Sequence, residues 1–469
     1  MDQVSKDSSL QNKTAAPCLP PGPIESFVSG GLKAMDYYFD VPLKHTDKSC
    51  SKTITVFARR VIAVEKQAGA DQMPWLLFLQ GGPGFQAPAY NTGWVKSAAK
   101  SFNVLLLDQR GTGLSTPLTV QTLAHCKTPQ EQADHFMQFR ADSIVRDCEL
   151  IREALLANAP EKKWHILGQS FGGFCITTYL SFFPESITAA YYTGGIPPIV
   201  DSLEKVYRAT FKQAIMHTER YYQKFPADKK RIRDIMRHLS TNTVKLPNGG
   251  ILTPRKFQQM GMSFGLSGGM DRLHALCLKA LVSIEGREEL SSSFLTEMVA
   301  NQENIPPIYA ALHEAIYCDG PGQVSDWAAS RLLCDEFAST FNYSVESFDA
   351  NEDKMVYFTG EHMFDFMFDD YVALEPLKEC AEILAKCSTW PKLYDLEQLQ
   401  KNTVPVAACV YYDDMYVDRE CSENTARNIK GMQLWITNEY MHSGIRDAGE
   451  AMLNKLISMV KGEVDVPIV

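Results

Sequence analysis

The chain has 469 residues, 45% of them hydrophobic and 22% charged, and a formal net charge of −10. This composition belongs to a globular protein with length enough for a large core and a second lobe. The acidic balance, with no basic block to offset it, argues against a nucleic-acid or anionic-membrane surface, and no segment is apolar for long enough to span a bilayer.

In chain order, residues 1–24 are polar and rich in proline and read as a disordered tail, not a signal peptide. Twelve cysteines are scattered without CxxC pairs or a Cys/His spacing that suits a metal. Reduced thiols in a soluble cytoplasmic protein are therefore expected, with no metal and no organic cofactor. "LKAMDYYFDVPL" and "KTITVFARRVIAV" alternate as an antiparallel pair should. "PWLLFLQ", "FNVLLLD", "WHILGQS" and "ITAAYYTGG" are short runs, apolar on both faces, that end in glycine-rich or polar loops. Buried parallel strands look like this, with functional loops at their C-terminal ends. "DSIVRDCELIREALLANA" has helical spacing and an acidic first turn. From 199 to 402 helical patterns dominate, and the Lys229-Lys230-Arg231 run reads as the solvated face of one such helix. Strands resume at "VPVAACVYYDD" and "MQLWITNEYMH", before a closing helix "GIRDAGEAMLNKLISMV". The pattern predicts an α/β core over 25–198 and 403–469, with a mostly parallel sheet, split by a largely helical cap over 199–402.

One loop carries chemistry. Gly168-Gln169-Ser170-Phe171-Gly172 lies between a strand and a helix, and small neighbours let a serine stand clear at the tip of so sharp a turn. A serine hydroxyl needs a base, usually a histidine oriented by a carboxylate. With a nucleophile on this kind of turn, the acid follows the serine and the histidine comes last. His442 alone among the ten histidines follows the final strand. His313 and His362 fall in the cap and break the order. "YYDDMYVD" offers Asp413, Asp414 and Asp418 as the acid. Side chains of adjacent residues diverge, so at most one of the first two faces the imidazole, and the residues alone leave that pair open. An oxyanion site needs two backbone N–H donors: Phe171 supplies one, and Gly82 in "QGGPG" the other. A phosphate-binding loop is disfavoured, because GxxxxGK[ST] and GxGxxG are both absent.

"LQGGPGF", "LLDQRGTGLST", "FRADSIVRDCELIR", "GQSFGGF", "YYDDMYVD" and "WITNEYMHSGIR" together resemble the prolyl aminopeptidases, or proline iminopeptidases, of the longer type. The match runs from about residue 35 to the last helix and is thin in the cap. The resemblance implies an α/β-hydrolase core with Ser170 as nucleophile and His442 as base, and it favours Asp414 over Asp413. It also implies two cap glutamates, best matched by Glu314 and Glu361, that hold the free amine of a short peptide or amide. A protonated secondary amine in a partly buried pocket needs such partners. The reading is a serine aminopeptidase that removes N-terminal proline through an acyl-enzyme. An esterase, amidase or acyltransferase with the same triad is the alternative.

Overall fold

Strands whose side chains are buried on both faces give this chain its scaffold. The computed structural model describes residues 22–302, 305–351, 353–464 and 466; most of the expected N-terminal tail, residues 1–21, lies outside them. Nine strands form one sheet: β1 (Glu25–Ser29), β2 (Leu32–Pro42), β3 (Thr53–Ala63), β4 (Trp75–Leu79), β5 (Asn103–Asp108), β6 (Trp164–Gln169), β7 (Ile187–Thr193), β8 (Val406–Tyr411) and β9 (Met432–Thr437). Their spatial order is β1-β2-β3-β5-β4-β6-β7-β8-β9. The first three strands are antiparallel, β3 meets β5 antiparallel, and every pairing from β5 to β9 is parallel.

The period of two along each strand divides the core. On β4, Leu76 and Phe78 join Trp94, Val95, Met452 and Leu456, from the helices Gly93–Ala98 and Gly444–Val460, on one face of the sheet. Leu77 and Leu79 point the other way, into a cluster with Ile144, Val145, Phe174 and Ile176 of the helices Ala141–Leu155 and Phe171–Phe182. Helices on both faces of a mostly parallel sheet leave the C-terminal strand ends as the place where loops can build a site.

Between β7 and β8 the chain is mainly helical, with Leu203–Lys224 and Asp228–Thr241 its longest helices. Ser202 caps the first by accepting the Lys205 N–H. Lys229 and Lys230 are exposed on the second, as the charge run predicts. Two short hairpins, Val244–Lys245 with Ile251–Leu252 and Leu281–Ile284 with Arg287–Leu290, go beyond the helical expectation. The second turns through Glu285 and Gly286, both at positive φ (50° and 80°), as a tight two-residue hairpin turn requires. The apolar faces of this segment, among them Phe211, Ile232, Phe257 and Phe294, share one continuous core with the sheet. Among the described residues, no helix is long and apolar enough to cross a membrane.

Candidate active site

Ser170 sits between β6 and the helix Phe171–Phe182 with φ 53° and ψ −126°, a conformation that is strained for a residue with a side chain. Its surroundings hold it there. Its N–H donates to Thr193 O at 3.0 Å, and its carbonyl accepts from Gly173 N at 2.7 Å. A Cβ at Gly172 would stand 2.0 Å from Leu79 O, so only glycine lets the turn close on β4. A Cβ at Gly81 would stand 2.9 Å from that of Ser170, which places the "QGGPG" loop directly against the serine. Phe171 opens its helix, so its N–H has no intrahelical acceptor. Gly82 lies on the facing loop at φ 127°.

Two neighbours at the end of β5 brace that loop. Gln109 Nε2 donates to Gln80 O at 3.1 Å, while the Asp108 carboxylate accepts from Ala87 N at 2.9 Å and Leu114 N at 2.8 Å. Burial raises the Asp108 pKa in spite of these bonds. "LLDQRGTGLST" was conspicuous in the sequence, but only the fold gives it this bracing part.

Past the end of β8, the two adjacent aspartates part company. Asp414 Oδ2 meets His442 Nδ1 at 2.8 Å, and Asp414 Oδ1 accepts from the N–H groups of Tyr416 (2.8 Å) and Val417 (3.1 Å). Asp413 points outward to Arg220, Oδ2 to Nη1 at 2.8 Å. Asp418 caps the helix Arg419–Ala426 through Cys421 N. His442 follows β9 and is almost fully buried. Its backbone N–H donates to Gly265 O at 3.1 Å, and Tyr416 packs edge-on against its ring. A carboxylate only accepts, so the Asp414 contact places the ring proton on Nδ1 and leaves Nε2 as an acceptor. Burial disfavours the imidazolium, but the Asp414 carboxylate and the charge of Glu361 outweigh it, and the His442 pKa is raised. Asp414 and His442 are thus in contact, while Ser170 stands at the end of β6, separated from β8 by β7, with no hydrogen bond to the ring among the described residues. Such contacts often tighten only when substrate arrives.

The two candidate glutamates, Glu314 and Glu361, differ. Glu361 lies in an irregular stretch, accepts from the Tyr309 hydroxyl, and is close enough to His442 and Asp414 for their charges to act on it. Burial pushes its pKa up to about 7. Glu314 is also raised to about 7 by burial, but its carboxylate is engaged by Ala329 N (3.0 Å) and Ala328 N (3.2 Å) at the start of the helix Ala328–Asp335. The structure therefore brings Glu361 to the Asp414–His442 pair and ties Glu314 to a helix terminus. His313 and His362 are buried, and burial lowers their pKa values to about 4 and about 3. Beside Tyr309 and Tyr416 opens a cavity of about 290 Å³ whose walls include Phe85, Met260, Met262 and Met363. No group of three or more His, Cys, Asp or Glu side chains among the described residues is placed to hold a metal ion.

Known proteins resemble this chain over most of its length. Residues 74–238 match the α/β hydrolase fold family. The proline iminopeptidase of Aeromonas sobria is 44% identical over 436 residues, covering 92% of this chain and 98% of that protein. The chain belongs to the proline iminopeptidase family of α/β hydrolases. A proline iminopeptidase of Aspergillus aculeatus is 35% identical over 93% of this chain and 95% of its own length. The crystal structure of proline iminopeptidase from Mycobacterium smegmatis matches with a TM-score of 0.42 at 14% identity, covering 91% of this chain and 98% of that one, a likeness too distant to carry detail. Membership of the family makes the chain an enzyme, a hydrolase of the aminopeptidase type.

Proposed function

We propose that the chain removes proline, or a similar residue, from the N-terminus of short peptides and amides, with residues 199–402 acting as a cap over the strand ends. Ser170 Oγ attacks the prolyl carbonyl as His442 Nε2 takes its proton, and Asp414 holds the ring in the correct tautomer and stabilises the imidazolium. The N–H groups of Gly82 and Phe171 receive the oxyanion. Collapse of the tetrahedral intermediate breaks the C–N bond, and His442 returns the proton to the departing amine. Water, activated by the same imidazole, then attacks the acyl-enzyme and frees proline and Ser170.

The observation that carries this reading over a general esterase is Glu361. Burial makes the Glu361 carboxylate costly to ionise, more than the nearby His442 charge and the Tyr309 hydroxyl offset, and such a cost is tolerated where a cation is to be bound. The protonated amine of an N-terminal proline is such a cation. Glu314, held by helix N–H groups, is the second candidate partner.

The test pairs labelling with turnover. A fluorophosphonate should add one adduct, mapped to Ser170, and abolish hydrolysis of a prolyl amide. N-acetylprolyl amide, which lacks the charged nitrogen, should be a poor substrate. An adduct elsewhere with activity lost refutes the nucleophile, and equal turnover of the two amides refutes the aminopeptidase reading.

A further inference from the structure

Glu361 is bonded through one of its two oxygens. The Tyr309 hydroxyl donates to Oε1, and Oε2 has no hydrogen bond among the described residues. Glu361 lies on irregular chain, so neither a helix nor a strand fixes the direction of its carboxylate. Its bonded partner is what aims it.

That partner is itself firmly placed. Tyr309 belongs to the short helix Pro307–Leu312. A Cβ at Gly84 would stand 3.0 Å from Ile308 Cβ and 3.2 Å from Tyr309 N, so the "QGGPG" loop is packed directly on this helix. The Tyr309 ring lies against Phe85, with centroids 5.2 Å apart, and against His313 at 5.0 Å. Burial keeps His313 neutral, with a pKa of about 4, so that side brings no cation to Glu361. A ring packed on two others has little freedom, and its hydroxyl is held at one point. Tyr309 and Phe85 also stand in the wall of the cavity of about 290 Å³. Gly360, the residue before Glu361, and Tyr416, which packs on His442, share that wall.

We propose that Tyr309 is a positioning residue for amine recognition: its hydroxyl holds Oε1 of Glu361 and leaves Oε2 turned to the ammonium of the substrate. The inference rests on the aminopeptidase reading and deepens it. A phenol is a neutral donor, so it orients the carboxylate without neutralising it, as a lysine or arginine in the same place would. The other groups that act on Glu361 are the charges of His442 and Asp414. Tyr207, Tyr317 and Tyr416 also lie near it; burial, and then neighbouring charges that include Glu361, raise their pKa values, so they stay neutral. A hydrogen bond to the charged form favours that form, so the Tyr309 hydroxyl opposes the burial that raises Glu361 to about 7. Without the hydroxyl, Glu361 should lose its aim and ionise only at higher pH.

The experiment is a double-mutant cycle of Tyr309→Phe and Glu361→Gln, read across pH on a prolyl amide and on an acetyl ester without an amine. Phenylalanine keeps the ring packed on Phe85 and removes only the hydroxyl. At pH 6.5, Tyr309→Phe should lower kcat/KM for the prolyl amide about tenfold, the effect of one hydrogen bond to a charged group. The acid limb of the amide profile should move to higher pH. The ester should change by less than about twofold, and its acid limb, set by His442, should not move upward. In the Glu361→Gln background, loss of the hydroxyl should cost the amide less than about twofold, because the group it positions is gone. Equal losses on amide and ester in Tyr309→Phe overturn the inference, since Tyr309 would then serve only to pack the oxyanion loop. An unchanged amide profile overturns it as well. So does an amide loss of the same size with and without the Glu361 carboxylate, since the hydroxyl would then act on another group. In each of these cases wild-type enzyme still cleaves the prolyl amide, and the aminopeptidase reading stands. Wild-type enzyme that turns over the ester and not the prolyl amide refutes both together.

Discussion

At the strand ends, backbone geometry fixes each candidate catalytic group. Ser170 is clamped by Thr193 O and Gly173 N, Asp414 by the N–H groups of Tyr416 and Val417, and His442 by Asp414 and Gly265 O. In the helical segment between β7 and β8, Glu361 instead sits on irregular chain and is held through side chains, with the Tyr309 hydroxyl as its bonded partner. On the proposed function, the strand ends supply the reacting groups and the helical segment supplies what selects a substrate. Changes at the strand ends should therefore cost turnover of every substrate, and changes above them should discriminate between substrates.

The largest effect belongs to the nucleophile. Ser170→Ala should lower kcat by about four to six orders of magnitude on amides and esters alike, with little change in Tm. Ser170→Gly should be as inactive but more stable than the alanine variant by about 1–2 kcal/mol, because glycine adopts φ 53°, ψ −126° without strain. Chemical denaturation of the two variants checks this; equal stability would mean that the turn is not strained.

Next come the paired aspartates. Asp414→Asn should reduce kcat about 10⁴-fold by removing the partner that sets the His442 tautomer. Asp413→Asn breaks only the exposed pair with Arg220 and should change kcat by no more than about fivefold. The reverse order would contradict the geometry.

The pH dependence separates the two regions again. His442 must be neutral to act as base, and its pKa is raised, so activity on an ester should be lost as pH falls through a midpoint above 6.5. A prolyl amide should feel a second ionisation near 7, that of Glu361, which must be charged to hold the amine. Removal of that carboxylate takes away a charge that raises His442, so Glu361→Gln should move the ester's acid limb to lower pH. Profiles of both substrates on both enzymes check this.

The smallest expected effect is on stability. A carboxyl whose folded pKa lies above its unfolded value favours the fold at low pH, and that contribution is lost as pH rises through the folded pKa. Glu361→Gln should therefore be more stable than wild type at pH 8 and lose that advantage towards pH 5. Glu314→Gln should follow the same pH trend but lie lower at every pH, because an amide keeps one acceptor oxygen for the two helix N–H groups that Glu314 accepts with both of its own. Thermal melts across this pH range distinguish the two glutamates.

The difference between the regions also governs what the sequence reveals. Runs such as "PWLLFLQ" and "FNVLLLD" are apolar on both faces and end in loops because they are central parallel strands, so β4 to β9 and the serine turn could be read directly. β1 could not: "ESFVS" is a short, largely exposed edge strand with no pattern of burial to betray it. Asp413 and Asp414 differ by one step around a turn, and only the backbone beyond β8 decides which of them meets His442. Glu361 lies on chain without periodicity, so nothing local marks it as buried beside the strand ends. Arg220 reads as an ordinary residue of an amphipathic helix until the fold sets it against Asp413.

The division of labour between strand ends and cap is tested most directly by Glu361→Gln on two substrates, a prolyl amide and an acetyl ester without an amine. Loss of the carboxylate leaves a buried ammonium half-paired, so kcat/KM for the prolyl amide should fall by at least about thirtyfold. The ester should change by less than about threefold, since Ser170, Asp414 and His442 are untouched. Equal losses on both would place Glu361 in the support of the strand-end machinery, and no loss on either would place the amine site elsewhere; each contradicts the account.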